Sequence, residues 1–166
     1  MGFTYLSMYL AIKPSEFNIH YMMLSEKTKN NVMEGGDFYR LYYSDALCNS
    51  NGLYIYFSFN NISIEKYFNK IKCIFSLENN REIIHLLKKI EYSILHHVSF
   101  GHKDISYRIS EQLDNKYIKI FTDKHIDFGK NKKLDVVLKI SGIWNNYNAC
   151  GLTFRFYVVN HPLSNG

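Results

Sequence analysis

The amino-acid sequence predicts an α+β fold: an OB-like antiparallel β-barrel or strongly curved sheet with one or two covering helices. Three observations lead there. Period-two alternation recurs in several short segments, a segment from residue 81 onward follows a helical period instead, and the order runs strands, helices, strands. The most regular alternation lies in residues 135–160, DVVLKISGIWNNYNACGLTFRFYVVN. Val136, Leu138, Ile140 and Gly142 share one face of the first run, and Val137, Lys139, Ser141 and Ile143 the other. In the second run Leu152, Phe154, Phe156 and Val158 oppose Thr153, Arg155, Tyr157 and Val159. Each strand thus has an apolar face and a face carrying a cation. Asn145, Asn146, Asn148 and Gly151 are residue types that tolerate positive φ in a connecting turn, so the segment reads as a long hairpin.

The earlier elements follow in order. Residues 3–12 and 17–24 read as strands broken at Pro14. Residues 25–36 are polar and end in Gly35-Gly36, a loop whose Lys27 and Lys29 lie near Glu26 and Glu34 and are solvated rather than set as a phosphate clamp. Residues 37–43 and 53–59 read as an antiparallel pair joined by the turn formers Asp45, Asn49, Asn51 and Gly52. Leu53, Ile55, Phe57 and Phe59 make one apolar face and leave Tyr54, Tyr56 and Ser58 on the reverse.

Ile64, Phe68, Ile71 and Phe75 fall at near-helical spacing, and a stronger helix runs over residues 81–98. There Ile83, Leu87, Ile90, Ile94 and Val98 form the buried stripe, with Asn79 or Asn80 as the cap. Residues 105–109 and 116–121 read as further strands turning at Asp114-Asn115. No Ser/Gly/Pro-rich linker interrupts this pattern, so residues 1–160 are expected to be one OB-like domain followed by a short tail, 161–166.

With 166 residues and 46% hydrophobic content, such a domain buries roughly 70% of its unfolded surface, enough for a real core. The net charge of +5 favours an acidic partner, a nucleic acid or an anionic surface. Lysine outnumbers arginine and Asn, Ile, Tyr and Phe are abundant, as an AT-rich genome would produce, so aromatic content carries weight only where aromatics share a face with cations. Cys48, Cys73 and Cys150 form neither zinc-type pairs nor a disulfide framework, which suits free thiols in a reducing, intracellular compartment. Residues 3–12 are too short to span a membrane and lack a signal peptide's flanks, so no membrane partner is expected. His96 and His97 point to different sides of a helix and no carboxylate at ligand spacing completes a set with His102, so no metal or cofactor is expected. GxSxG, Walker and HExxH motifs are absent, and the chain reads as a binder rather than an enzyme.

Binding a single strand without sequence preference requires cations along the phosphates and flat side chains beneath the bases. Tyr117, Lys119 and Phe121 supply both on one strand face. Lys139, Arg155 with Tyr157, and Arg40 near Tyr54 and Tyr56 supply more. Trp144 is a further candidate for contact with the nucleic acid, although it shares the parity of Val136, Leu138 and Ile140, which suits a core or rim anchor better than a stacking platform.

The SGIW end of the first hairpin strand, residues 141–144, followed after an Asn-rich loop by GLTFRF, residues 151–156, resembles the closing segment of the T7-type single-stranded DNA-binding proteins of phages and large eukaryotic DNA viruses. The resemblance covers about 25 residues. It implies an OB-type barrel that coats single-stranded DNA in replication or recombination, without metal or cofactor, in a host nucleus or a cytoplasmic replication site. RNA and self-association are further partners compatible with that chemistry. The phage proteins of that family end in an acidic tail with a terminal aromatic, whereas this sequence ends HPLSNG, so the resemblance does not extend to tail-mediated recruitment of replication partners. The rival expectation is a small viral interaction protein whose sheet or helices bind another protein, marked by exposed apolar patches without a basic groove.

Overall fold

The computed structural model describes residues 10–32, 35–46, 49–121 and 132–159. The first half of the first predicted strand, Cys48 and the tail 161–166 lie outside the described residues. In chain order the elements are β1 (Met22–Leu24), β2 (Thr28–Lys29), β3 (Asp37–Ser44), β4 (Asn49–Asn51), β5 (Leu53–Asn60), β6 (Ile62–Tyr67) and β7 (Lys70–Phe75). Then come α1 (Leu77–His97), β8 (Asp104–Ser106), α2 (Arg108–Asp114), β9 (Tyr117–Phe121), β10 (Lys133–Asn145) and β11 (Ala149–Val158). The fold is α+β, a large mixed sheet with two helices, and among the described residues the sheet does not close on itself.

The hairpin of β10 and β11 is its spine. Val136 pairs with Val158, Leu138 with Phe156 and Lys139 with Arg155, as the alternation requires. Its turn is built differently from the expectation: no residue there has positive φ, and the Asn146 side chain accepts the N–H groups of Asn148 and Ala149 instead. The second long edge of β10 is shared, β5 pairing along Lys133–Ile140 and β3 along Gly142–Asn145. β3 and β5 are therefore not partners of each other, contrary to the sequence reading, because β10 is long enough to hold both. β3 continues beyond β10 to pair with β1 and β4. β11 runs parallel to β8 and β9, so the sheet is mixed rather than antiparallel, and β9–β7–β6 extends it to the far edge.

Alternate residues of these strands point to one covered face. Ile55, Phe57 and Phe59 of β5, Val136 and Leu138 of β10, Phe156 of β11, Ile118 and Ile120 of β9 and Cys73 of β7 join Leu87, Ile90 and Ile94 of α1 in a single core. Phe154 is only half-buried at its margin, and on α1 Ile84 takes the buried place expected for Ile83. Asn80 is not the helix cap, which is Ser76. Its buried amide instead bonds both backbone groups of Asn60 and the Ser76 carbonyl, locking the start of α1 to the end of β5.

Several segments depart from the expected elements: of the expected strand 17–24 only Met22–Leu24 is strand, after a 3-10 turn at Ile19–Tyr21, and the segments expected to be loop or turn supply β2 and β4, both paired with β3. Two more change type altogether. The stretch read as a first helix is the β6–β7 hairpin, turning at Phe68-Asn69. Helical and strand periods both make Ile64, Ile71 and Phe75 apolar, and only Phe68 tells them apart. That side chain is fully exposed, at 112% of its reference area. The segment read as a strand at 105–109 is the three-residue β8 and the start of α2. Glu91, fully buried on α1, accepts the N–H groups of Ile109 and Ser110 and the Ser110 hydroxyl, which anchors the first turn of α2 from across the sequence.

Candidate nucleic-acid interface

The face of the sheet away from the helices collects the sequence-named cations and aromatics in cross-strand rows. Tyr54, Lys139 and Arg155 stand side by side on β5, β10 and β11, and Tyr56, Val137 and Tyr157 form the next row. On β9, Tyr117, Lys119 and Phe121 alternate with the buried Ile118 and Ile120, so they share this face. Neighbouring β7 places Lys72 opposite Lys119 and Lys70 opposite Phe121. β5, β10, β11, β9, β7 and β6 together make a face about 24 Å across at about 4.8 Å per strand step.

Cations here sit over rings. The Lys139 ammonium is 5.5 Å from the Tyr54 ring centre and the Arg155 guanidinium 5.3 Å from that of Phe121. Lys70 approaches the same Phe121 ring at 4.9 Å, and Lys72 the Tyr117 ring at 4.6 Å. Phe121 nevertheless remains 45% exposed between its two cations. Tyr67, Lys70, Lys72, Tyr117 and Lys119 line a hollow of about 360 Å³.

Among the described residues two carboxylates also reach this face. Asp135 accepts the Ser58 hydroxyl and faces Lys133 at 3.9 Å. Glu65 accepts the Tyr67 hydroxyl at 2.9 Å and lies 3.9 Å from Lys72. The Glu65 hydrogen bond raises the Tyr67 phenol above its ordinary pKa, and burial followed by the Asp135 charge raises that of Tyr56. Both phenols stay neutral hydrogen-bonding groups.

Arg40 and Trp144 lie further along, past a bulge between Ile140 and Gly142. The extra residue reverses the parity of β10, so Ile143 enters the core while Trp144 moves to the open side opposite Phe38. The placement of Trp144 with Val136 and Leu138 is thereby corrected. Its indole lies over Gly151, where a Cβ would come within 2.7 Å of the ring. The Phe38 ring covers Gly142 in the same way, with the Tyr39 carbonyl only 2.2 Å from the position a Cβ would take. The glycines of SGIW and GLTFRF thus make room for two rings. Arg40 and Trp144 line a groove of about 690 Å³ with Lys29, Phe38 and Arg108, next to the main rows rather than within them.

Sequence reasoning missed Lys70, Lys72 and Tyr67, because it read their segment as helix. The run KIKCIF carried the signal, alternating cation and apolar residue with period two before Cys73. Among the described residues no group of histidine, cysteine and carboxylate side chains could hold a metal, and no helix is long and apolar enough to cross a membrane. No protein-family model, characterised protein or solved structure matches the chain.

Proposed function

We propose that the open face of the sheet binds single-stranded nucleic acid, with DNA the favoured polymer, and that the protein acts as a strand-coating factor in replication or recombination. The observation that carries this reading is the run of cations and rings from Tyr54 through Lys139, Arg155 and Phe121 to Lys70, on strands far apart in sequence. Phosphates would follow Lys70, Lys119, Lys139 and Arg155, while bases stack on Tyr54, Tyr117, Phe121 and Tyr157. Stacking contributes roughly 1 to 3 kcal/mol per base and tolerates any sequence. The likeness of SGIW and GLTFRF to the T7-type proteins supports the same polymer. It carries an OB-type barrel with it, but the platform needs only an open, curved face.

The test is a titration of the protein with mixed-sequence single-stranded and duplex oligonucleotides at low salt. Tighter binding to the single strand is expected, weakening linearly in log salt as counterions are released. No affinity for any single strand would refute the proposal.

A second reading has its own observation. α1 and α2 flank a groove of about 1010 Å³ with Leu77, Ile84 and Tyr92 among its lining residues, a surface suited to a protein partner. A chain that binds no oligonucleotide but binds a protein through Arg81 and Lys89 would favour it.

A further inference from the structure

The β6–β7 hairpin ends in a turn whose first residue is Phe68, with φ of 42°. A two-residue hairpin loop with positive φ at that position selects Gly, Asn or Asp. An aromatic residue there is disfavoured by its own Cβ. Packing does not compensate, since Phe68 is wholly exposed. Neither backbone preference nor the core therefore accounts for this side chain. Such an outlier is a pointer to function when its surroundings supply a ligand's chemistry.

They do here. Tyr67, the preceding residue, pairs with Lys70, and the Lys70 ammonium sits 4.9 Å from the Phe121 ring on the open face. The turn is thus continuous with the row of cations and rings through Tyr67 and Lys70, which face each other across its base.

Resting on the single-strand reading above, we propose that Phe68 is a stacking finger that takes an unpaired base at the end of the platform and gives the protein its preference for single strands over duplex. The cations of the sheet attract the phosphates of either form. A base inside a duplex offers no free face to a ring at a hairpin tip, whereas a single strand offers one at every nucleotide.

Phe68→Gly and Phe68→Trp test this, each titrated with a fluorescein-labelled mixed-sequence oligonucleotide in single-stranded and annealed form and melted thermally. Glycine suits the turn, so the Gly protein should melt no lower than wild type. It should lose about fivefold or more in single-strand affinity with little change on duplex. The Trp protein should bind as wild type does, with a quenching of tryptophan emission on single strand that exceeds whatever Trp144 shows in wild type. Wild-type single-strand affinity in the Gly variant, an equal loss on duplex, or no added quenching in the Trp variant would overturn the finger. If the finger fails while Arg155→Ala still weakens binding, the platform reading survives. If the wild-type protein binds no oligonucleotide, both fall. Phe68-dependent pelleting with anionic phospholipid vesicles in that case would make the tip a membrane contact instead.

Discussion

Strand β7 sends Ile71, Cys73 and Phe75 beneath the helices and Lys70 and Lys72 to the bare side, and β9 divides its residues in the same manner, while β10 departs from it at the buried Val137 and at its bulge. The covered face is apolar, single-purpose and close-packed, whereas the other face mixes rings, ammonium groups and, among the described residues, two restrained carboxylates with the apolar Ile74 and a fully buried Val137. Adjacent positions on one strand therefore answer to different demands. Truncation on the covered side should cost stability and leave charge-driven binding alone, while the bare side should show the reverse.

The sharpest break between the faces is expected at Leu87, which is fully buried on α1. Leu87→Ala should lower stability by about 2 to 5 kcal/mol in denaturant unfolding, through lost transfer energy and the cavity left behind. A change within about 0.5 kcal/mol would mean that the helix does not hold the sheet as described. Gly142 comes next, because an added Cβ meets the Tyr39 carbonyl and the Phe38 ring. Gly142→Ala should cost about 1 to 3 kcal/mol by overpacking, readable as a lower urea midpoint.

Glu91 supplies a pH signature from the covered side. Burial raises its pKa above the ordinary 4.5, against the lowering effect of the Ser110 and Ile109 hydrogen bonds. The folded chain then keeps a proton that the unfolded chain has released. The contribution of this group to stability is therefore complete below the ordinary value, falls as pH rises through the window up to the raised pKa, and is flat above it. Urea midpoints across that window should decline less in Glu91→Gln than in wild type, and identical profiles would contradict the assignment. The smallest stability effect belongs to the bare face: Arg155→Ala should stay within about 0.5 kcal/mol of wild type.

The same division explains what the sequence revealed. The pairing of β10 with β11 and the apolar face of β5 were legible because period-two alternation runs unbroken through β5 and through β10 as far as Ile140. The helix α1 was legible from its stripe, displaced by one residue at Ile84. The Trp144 side was not, since one bulged residue reverses parity and a bulge leaves no local mark in residue type. The N-terminus of α2 is held by Glu91, 18 residues away, and no window around Arg108 contains that carboxylate. Of the candidate site, Tyr54, Tyr117, Lys119, Phe121, Lys139, Arg155 and Tyr157 came from alternation alone. Lys70 and Lys72 did not, because Ile64, Ile71 and Phe75 satisfy both periods and only the exposure of Phe68 separates them.

Charge removal on the two faces in parallel tests the central claim most directly. Lys139→Ala/Arg155→Ala takes two cations from the bare sheet, and Arg81→Ala/Lys89→Ala takes two exposed cations from α1. The net charge of the chain changes equally in both proteins. Single-strand affinity is measured over a range of salt concentrations for each and for wild type. The sheet variant should bind more weakly and flatten the log–log salt slope by about 1.4, at about 0.7 per phosphate contact, while the helix variant keeps the wild-type slope. Equal flattening in both, or flattening only in the helix variant, would contradict the assignment of binding to the open face.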